Sequence, residues 1–291
     1  MSRVPAGSWD AHVHVFGPAD KYPVCNRDAL YHPPAECDVI ALEALHGAIG
    51  FHHAVLVQPT VYGPDHRLLF DILKSAPPGR YVGVAIVNDA ISDRELLSMH
   101  EAGIRGARFN FGRKFKLGPS PDEFRRTLER LRSLGWFVKI FGYGDDFMAV
   151  ADELMSIDCM AVIDHIGGPE IESGIESEGF QFLLDLLRRP NWWGMLSNGD
   201  TRSKKGSPWT DVTPFGRAFY EAAPDRCLWG SDWPHVHRFV TPGGSHQDYG
   251  LDHKLDQLTL LRRYLPDEKC LAKVLVDNPA RFFENLRTGL R

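Results

Sequence analysis

Two histidines one residue apart, His12 and His14 in Trp9-Asp-Ala-His-Val-His-Val-Phe16, are the first residues that could do chemistry together. The stretch reads as a strand, and on a strand residues two apart share a face. Two imidazoles side by side at a strand end can bind a metal or polarise a carbonyl. A chance pair of core histidines is the plain alternative, so the weight rests on what the later strands bring to the same place. The polar groups at their ends are Gln58 and Thr60, then Arg108 and Asn110 with Arg113 and Lys114 just beyond, and Lys139 with Tyr143 in the following loop. Further on come Asp164 and His165, Ser197 and Asn198 followed by Arg202, Lys204 and Lys205, and last Asp232 and His235 in Gly230-Ser-Asp-Trp-Pro-His235. Three histidines and a carboxylate on one mouth supply both a base and an electrophilic cluster. Arg108 and Lys139 lie within apolar strands, where a lone charge is costly, so each needs an acidic neighbour or an anionic ligand. Arg113, Lys204 and Lys205 read as solvated loop charges.

Those residues depend on the elements that carry them. Short apolar runs at Ala54–Gln58, Tyr81–Ala85, Gly106–Phe111, Phe137–Phe141, Ala161–His165, Trp192–Leu196 and Cys227–Gly230 follow the first strand. Helical stretches alternate with them at 39–50, 68–75, 92–101, 124–134, 147–155, 180–188 and 214–223, and 255–264 and 268–275 close the chain as helices. Eight strands alternating with helices predict a parallel sheet, and 291 residues favour an α/β fold of the (β/α)8 TIM-barrel type in a single domain, 1–291. A doubly wound sheet would carry a Gly-rich phosphate turn after its first strand, and this chain has none there. In such a barrel the active site sits at the C-terminal strand ends, where the polar groups above fall. The Pro- and Gly-containing stretch 17–38 is long enough to serve as a lid.

The net charge of −5 argues against a general nucleic-acid binder, which shows a basic excess. Five cysteines without close pairing read as reduced thiols, and no stretch has the apolar length of a signal core or membrane span. The expected compartment is the cytoplasm, and no pattern specifies an oligomeric state.

The motifs Asp10-Ala-His-Val-His-Val-Phe-Gly17, Arg108-Phe-Asn-Phe111, Ile163-Asp-His-Ile-Gly167 and Gly230-Ser-Asp-Trp-Pro-His235 resemble the amidohydrolase superfamily. More closely they resemble its 2-pyrone-4,6-dicarboxylate lactonase branch, over about Trp9 to Phe283. The resemblance implies a distorted (β/α)8 barrel that hydrolyses lactones of sugar acids or of aromatic degradation. It also implies a fold in which some members need no metal and relatives hold one divalent ion. Arg108 stands where two-metal members carry a bridging Lys or Glu, and no His ends the fifth strand, so a two-metal site is not expected. His12, His14, His165 and Asp232 suit one ion, zinc above others, while Arg108 opposes a cation and favours the metal-free form. By resemblance, Asp232 is the general base and His12, His14 and His165 polarise the carbonyl. Arg108, Lys114, Lys139, Tyr143, Arg202 and His235 line the substrate. The expected partner is a small anionic lactone. Against the lactonase branch, Phe141 replaces a tyrosine, Gly168 an arginine, Lys114 an arginine, and Thr201 (with Arg202 beside it) another arginine. Lysine and glycine cannot reproduce the paired hydrogen bonds of arginine on a carboxylate, so the expected substrate is a pyrone-dicarboxylate-like, sulfomuconolactone-like or sugar-acid lactone, with the pyrone dicarboxylate itself no substrate or a weak one. The rival readings are a metal-dependent decarboxylase of the same superfamily and a non-catalytic binding barrel.

Overall fold

The structure, a computed structural model, describes residues 4–26, 31, 36–112, 118–236 and 251–288. Among them, strands β1 Trp9–Val13, β2 His53–Val57, β3 Tyr81–Ala85, β4 Ile104–Asn110, β5 Phe137–Phe141, β6 Ala161–Ile163, β7 Trp192–Met195 and β8 Cys227–Leu228 form one sheet in chain order. Each neighbouring pair from β1–β2 to β7–β8 is parallel, as eight consecutive βα units require. The residues after β8 complete the ring against β1: Ala11 N donates to Trp229 O at 2.9 Å, Asp232 N to His12 O at 2.9 Å and His14 N to Trp233 O at 2.7 Å. The expected (β/α)8 barrel is therefore the observed one.

Helices α1 Val39–Ile49, α2 Arg67–Ser75, α3 Asp93–Glu101, α4 Pro121–Ser133, α5 Ala151–Met155, α6 Glu178–Arg188, α7 Gly199–Arg202, α8 Thr213–Ala222, α9 Leu251–Tyr264, α10 Glu268–Ala272 and α11 Asn278–Thr288 surround the sheet. The starts of α3 and α4 are fixed by capping boxes, Ser92 with Glu95 and Ser120 with Glu123. Two helices differ from the sequence reading. The stretch 147–155 is not one helix: Phe147 turns fully into the core, and only α5 remains after a 3-10 turn. The closing helix does not end at Leu275. A π turn at Lys273–Asp277 leads into α11, which carries Phe282 and Phe283 beneath the barrel.

The inner faces of the strands (Trp9, Ala11, Val55, Val57, Val82, Val84, Phe137, Val162, Trp193, Met195, Leu228) pack with Phe282 and Phe283 into one apolar cluster. A second, larger cluster fills the layer between strands and helices. Strand β1 carries one extra residue against β2: Trp9 pairs His53 and Asp10 pairs Ala54, but Val13 already pairs Leu56. This bulge decides which way the histidines point. Trp9 and Ala11 face the interior, so strict alternation would send His12 and His14 outward with Asp10. The extra residue turns both imidazoles into the mouth, and leaves Asp10 facing α1, where its carboxylate meets His46 at 3.2 Å.

Candidate active site

Strand ends β6, β7 and β8 leave the sheet through left-handed turns. His165, Ile166, Asn198, Asp232 and His235 all have φ between 51° and 68°, and apart from Trp209 they are the non-glycine residues with positive φ among those described. Such backbone is tolerated only where the surroundings hold it, and it gathers at working sites. Here it lifts His165, Asn198 and Asp232 toward the histidines of β1.

The centre is built by three atoms. His12 Nε2 lies 3.3 Å from His14 Nε2, and Asp232 Oδ1 lies 3.5 Å from the first and 3.4 Å from the second. His14 Nδ1 sits 2.8 Å from the carbonyl of Val57, which can only accept. His14 therefore carries its proton on Nδ1 and turns a lone pair inward. The Nδ1 of His12 faces the carboxylate of Asp164 at 3.4 Å, which selects the same tautomer. Two imidazole lone pairs and a carboxylate oxygen thus converge in a buried space with no hydrogen between them. This arrangement calls for a positive charge, a shared proton or one ion. The separations match those of ligands on a tetrahedral zinc, about 3.3–3.4 Å for bonds near 2.0–2.1 Å. These residues fit a single divalent ion. His165 stands at the edge of the group, its Nε2 3.9 Å from Asp232 Oδ1 and its Nδ1 2.8 Å from Ser197 Oγ.

Burial, helped by the nearby Lys139 charge, holds His12 well below the ordinary histidine range. Burial likewise pushes His165 down to about 4. For Asp232, burial opposes ionisation, but the imidazoles of His165, His14 and His12 outweigh it and the carboxyl stays well below its usual range. Its second oxygen accepts a 2.6 Å hydrogen bond from Asn198 Nδ2, so Oδ1 alone is aimed at the histidines.

Under this centre lies a charge-paired floor. Lys139 Nζ is 2.9 Å from Asp164 Oδ1, and Arg108 Nε is 3.3 Å from Asp164 Oδ2. Burial works against ionising Asp164, yet Lys139 and His12 hold it well below the carboxylate range. The acidic neighbour that Lys139 needs is therefore Asp164. Lys139, expected to line the substrate, has its ammonium on Asp164 and 3.5 Å from Ala11 O. Arg108 reaches the mouth, its guanidinium 4.7 Å above the Phe141 ring.

On the far wall Arg202 lies 5.1 Å over the Tyr143 ring and donates from Nε to Pro169 O at 3.1 Å. Gly168 has φ +54°, and a Cβ there would come within 2.7 Å of both Gly142 O and Tyr143 Cδ1. This backbone cannot carry the arginine that the resemblance places at that position. His235 does not face the lone-pair cluster as a substrate residue would; it is 1% exposed and its Nε2 meets Lys254 behind the turn. Lys114 and Arg113 fall outside the described residues, as does part of the stretch read as a lid. The described part of that stretch is tied down, with Cys25 N and Asn26 N both 3.0 Å from Val61 O. A cavity of ≈820 Å³ lies over the ends of β3 and β4, with Asn88, His66 and Asn110 in its wall; of the groups around the centre only Arg108 lines it, and His12, His14, His165 and Asp232 do not. Sequence reasoning placed Ser197, Asn198 and Asp164 at strand ends but gave them no part in the site. An asparagine in Ser-Asn-Gly after an apolar run was the available signal, since asparagine tolerates the left-handed turn that brings its amide to Asp232.

A family model described as amidohydrolase matches residues 9–284. Over 97% of this chain and 91% of the relative, the sequence is 34% identical to a 2-pyrone-4,6-dicarboxylate hydrolase of Comamonas testosteroni. A 4-sulfomuconolactone hydrolase of Rhizobium radiobacter is 33% identical, with 96% of this chain and 91% of that protein covered. A solved apo structure from Agrobacterium tumefaciens shares the fold, with a TM-score of 0.81 at 24% identity and 97% of each chain covered. The family match spans the whole barrel, from the strand that bears the two histidines to the helix that closes its floor, and this chain belongs to the amidohydrolase family.

Proposed function

We propose that the chain hydrolyses a small anionic lactone by direct attack of water on the lactone carbonyl. The observation that carries this reading is the aim of Asp232: one oxygen is fixed by Asn198, the other is directed at a buried cluster of imidazoles. Asp232 Oδ1 takes a proton from water as the new carbon–oxygen bond forms. The oxyanion of the tetrahedral intermediate is stabilised by the positive charge, a shared proton or one ion, that the inward lone pairs of His12 and His14 call for, with His165 at its edge. Collapse breaks the acyl–oxygen bond, and Asp232 returns its proton to the departing ring oxygen. The products are a new carboxylate, the freed hydroxyl or enol, and one proton per turnover at neutral pH.

His12, His14 and Asp232 would hold a single divalent ion, which when bound supplies Lewis-acid polarisation of the carbonyl. The second set of ligand types, His12, Asp164 and His165, does not suit another ion, because Lys139 and Arg108 already take the Asp164 carboxylate. The same pairing removes much of Arg108's opposition to a cation at the centre. Metal analysis of the purified protein is expected to give no more than one equivalent per chain, and two zinc equivalents would contradict the assignment.

Arg108 and Arg202 flank the mouth and suit a carboxylate or sulfonate on the ring. Tyr143 fills the space beside Gly168, so the grip on a second acid group differs from that implied for the pyrone dicarboxylate. Steady-state kcat/KM is therefore compared for the pyrone dicarboxylate, a sulfomuconolactone, an aldarolactone and a neutral lactone of similar size. The sulfonated or sugar-acid lactone is expected to lead. A lead for the neutral lactone contradicts the anion-binding mouth, and a lead of orders of magnitude for the pyrone contradicts the weight placed on Gly168.

A further inference from the structure

Lys254, on α9, is fully buried and takes no part in the chemistry above. Its ammonium donates to Ser231 O at 3.0 Å and to Gln257 Oε1 at 3.1 Å, and it meets His235 Nε2. Ser231 and His235 bracket Asp232. Asp232 and His235 have φ of +51° and +68°, and the turn between them closes with His235 N donating to Asp232 O at 2.7 Å. Gln257 passes the connection on, its Nε2 3.3 Å from Asp200 Oδ1. Asp200 lies two residues after Asn198, the residue that holds the other oxygen of Asp232. One side chain of α9 thus ties both ends of the Asp232 turn and, through Gln257, reaches the loop that fixes Oδ2.

Burying an ammonium costs far more than burying a leucine, and an apolar residue often stabilises such a position better. A left-handed aspartate is strained and persists only where its surroundings over-determine it. We propose that Lys254 is a positioning residue, which clamps the Asp232 turn so that Oδ1 points at His12 and His14. The inference rests on the proposed role of Asp232 as base.

The test is a double-mutant cycle. Lys254→Met is expected to lower kcat by about 10- to 100-fold, as loss of a supporting partner does, with KM nearly unchanged. In the Asp232→Asn background the same change is expected to alter kcat by less than about twofold, because the group it aims is already gone. Thermal unfolding checks that each variant folds. If Lys254→Met does not fold, Gln257→Leu replaces it, with a smaller kcat loss and the same dependence on Asp232. Equal fractional losses in both backgrounds assign Lys254 to general stability and overturn the inference. So does near-normal kcat for Lys254→Met while Asp232→Asn is impaired, and that result leaves the reading of Asp232 intact. Near-normal kcat in Asp232→Asn overturns both.

Discussion

Strand β1 serves two ends of the barrel that are built on opposite principles. At the N-terminal end Trp9 stacks on Phe283 at 4.6 Å, and Phe282 receives the rings of Phe137 and Trp193 at 4.9 and 4.7 Å. These rings are in contact with one another, so this apolar end is a source of stability. Three residues further along the same strand, His12 joins lone pairs and a carboxylate at 3.3–3.5 Å with no donor among them. That mouth holds unfavourable electrostatics which a cation and a substrate relieve. A single bulge separates the two regimes. The contrast teaches that residues at the floor should govern unfolding and those at the mouth turnover.

Asp232→Asn bears hardest on the comparison. It is expected to reduce kcat by about 10²–10⁴-fold while the fold is retained, as thermal unfolding checks. Retained turnover would remove Asp232 from the chemistry. Phe282→Ala tests the opposite end: a loss of about 3–5 kcal/mol in denaturant unfolding, with kcat/KM unchanged where the protein is still folded. A matching loss of kcat would show that floor and mouth are coupled. Arg108→Met sharpens the mouth side. KM for an anionic lactone should rise by about 10- to 100-fold, the worth of a charged hydrogen-bonded contact, while KM for a neutral lactone stays the same.

The smallest effect is expected at His66, which belongs to neither end. Burial pushes it down to about 4. The folded state therefore prefers neutral His66, while the unfolded chain takes a proton near pH 6.5. Its contribution is intact above that value and is lost as pH falls from 6.5 toward 4. Between pH 7 and pH 5 the wild type should lose about 2 kcal/mol more than His66→Gln, measured by urea unfolding. Parallel pH profiles would show that His66 is not the titrating group.

The barrel and the residues at its mouth were legible because strand ends and their polar residues are local features. The strand-end positions of His12, His14, His165 and Asp232 follow from the order of strands alone. The bulge was not legible, since it exists only in the pairing of β1 with β2. The acidic partner of Lys139 was not legible because it is set by register: Lys139 pairs Val162, which brings Nζ to Asp164 two residues on. Lys254 did leave a trace. It occupies the buried stripe with Leu258 and Leu261, a position where a charge is out of place unless partnered. The partners lie after β7 and β8, beyond what one helix can reveal.

The most direct measurement is a single turnover of an anionic lactone in ¹⁸O-labelled water, with the product read by mass spectrometry. Direct attack by water activated at Asp232 predicts one ¹⁸O in the newly formed carboxylate in that first turnover, and its loss at matched times in Asp232→Asn. An unlabelled first product, as from an acyl-enzyme on Asp232 or from isomerisation of the ring, would contradict the account.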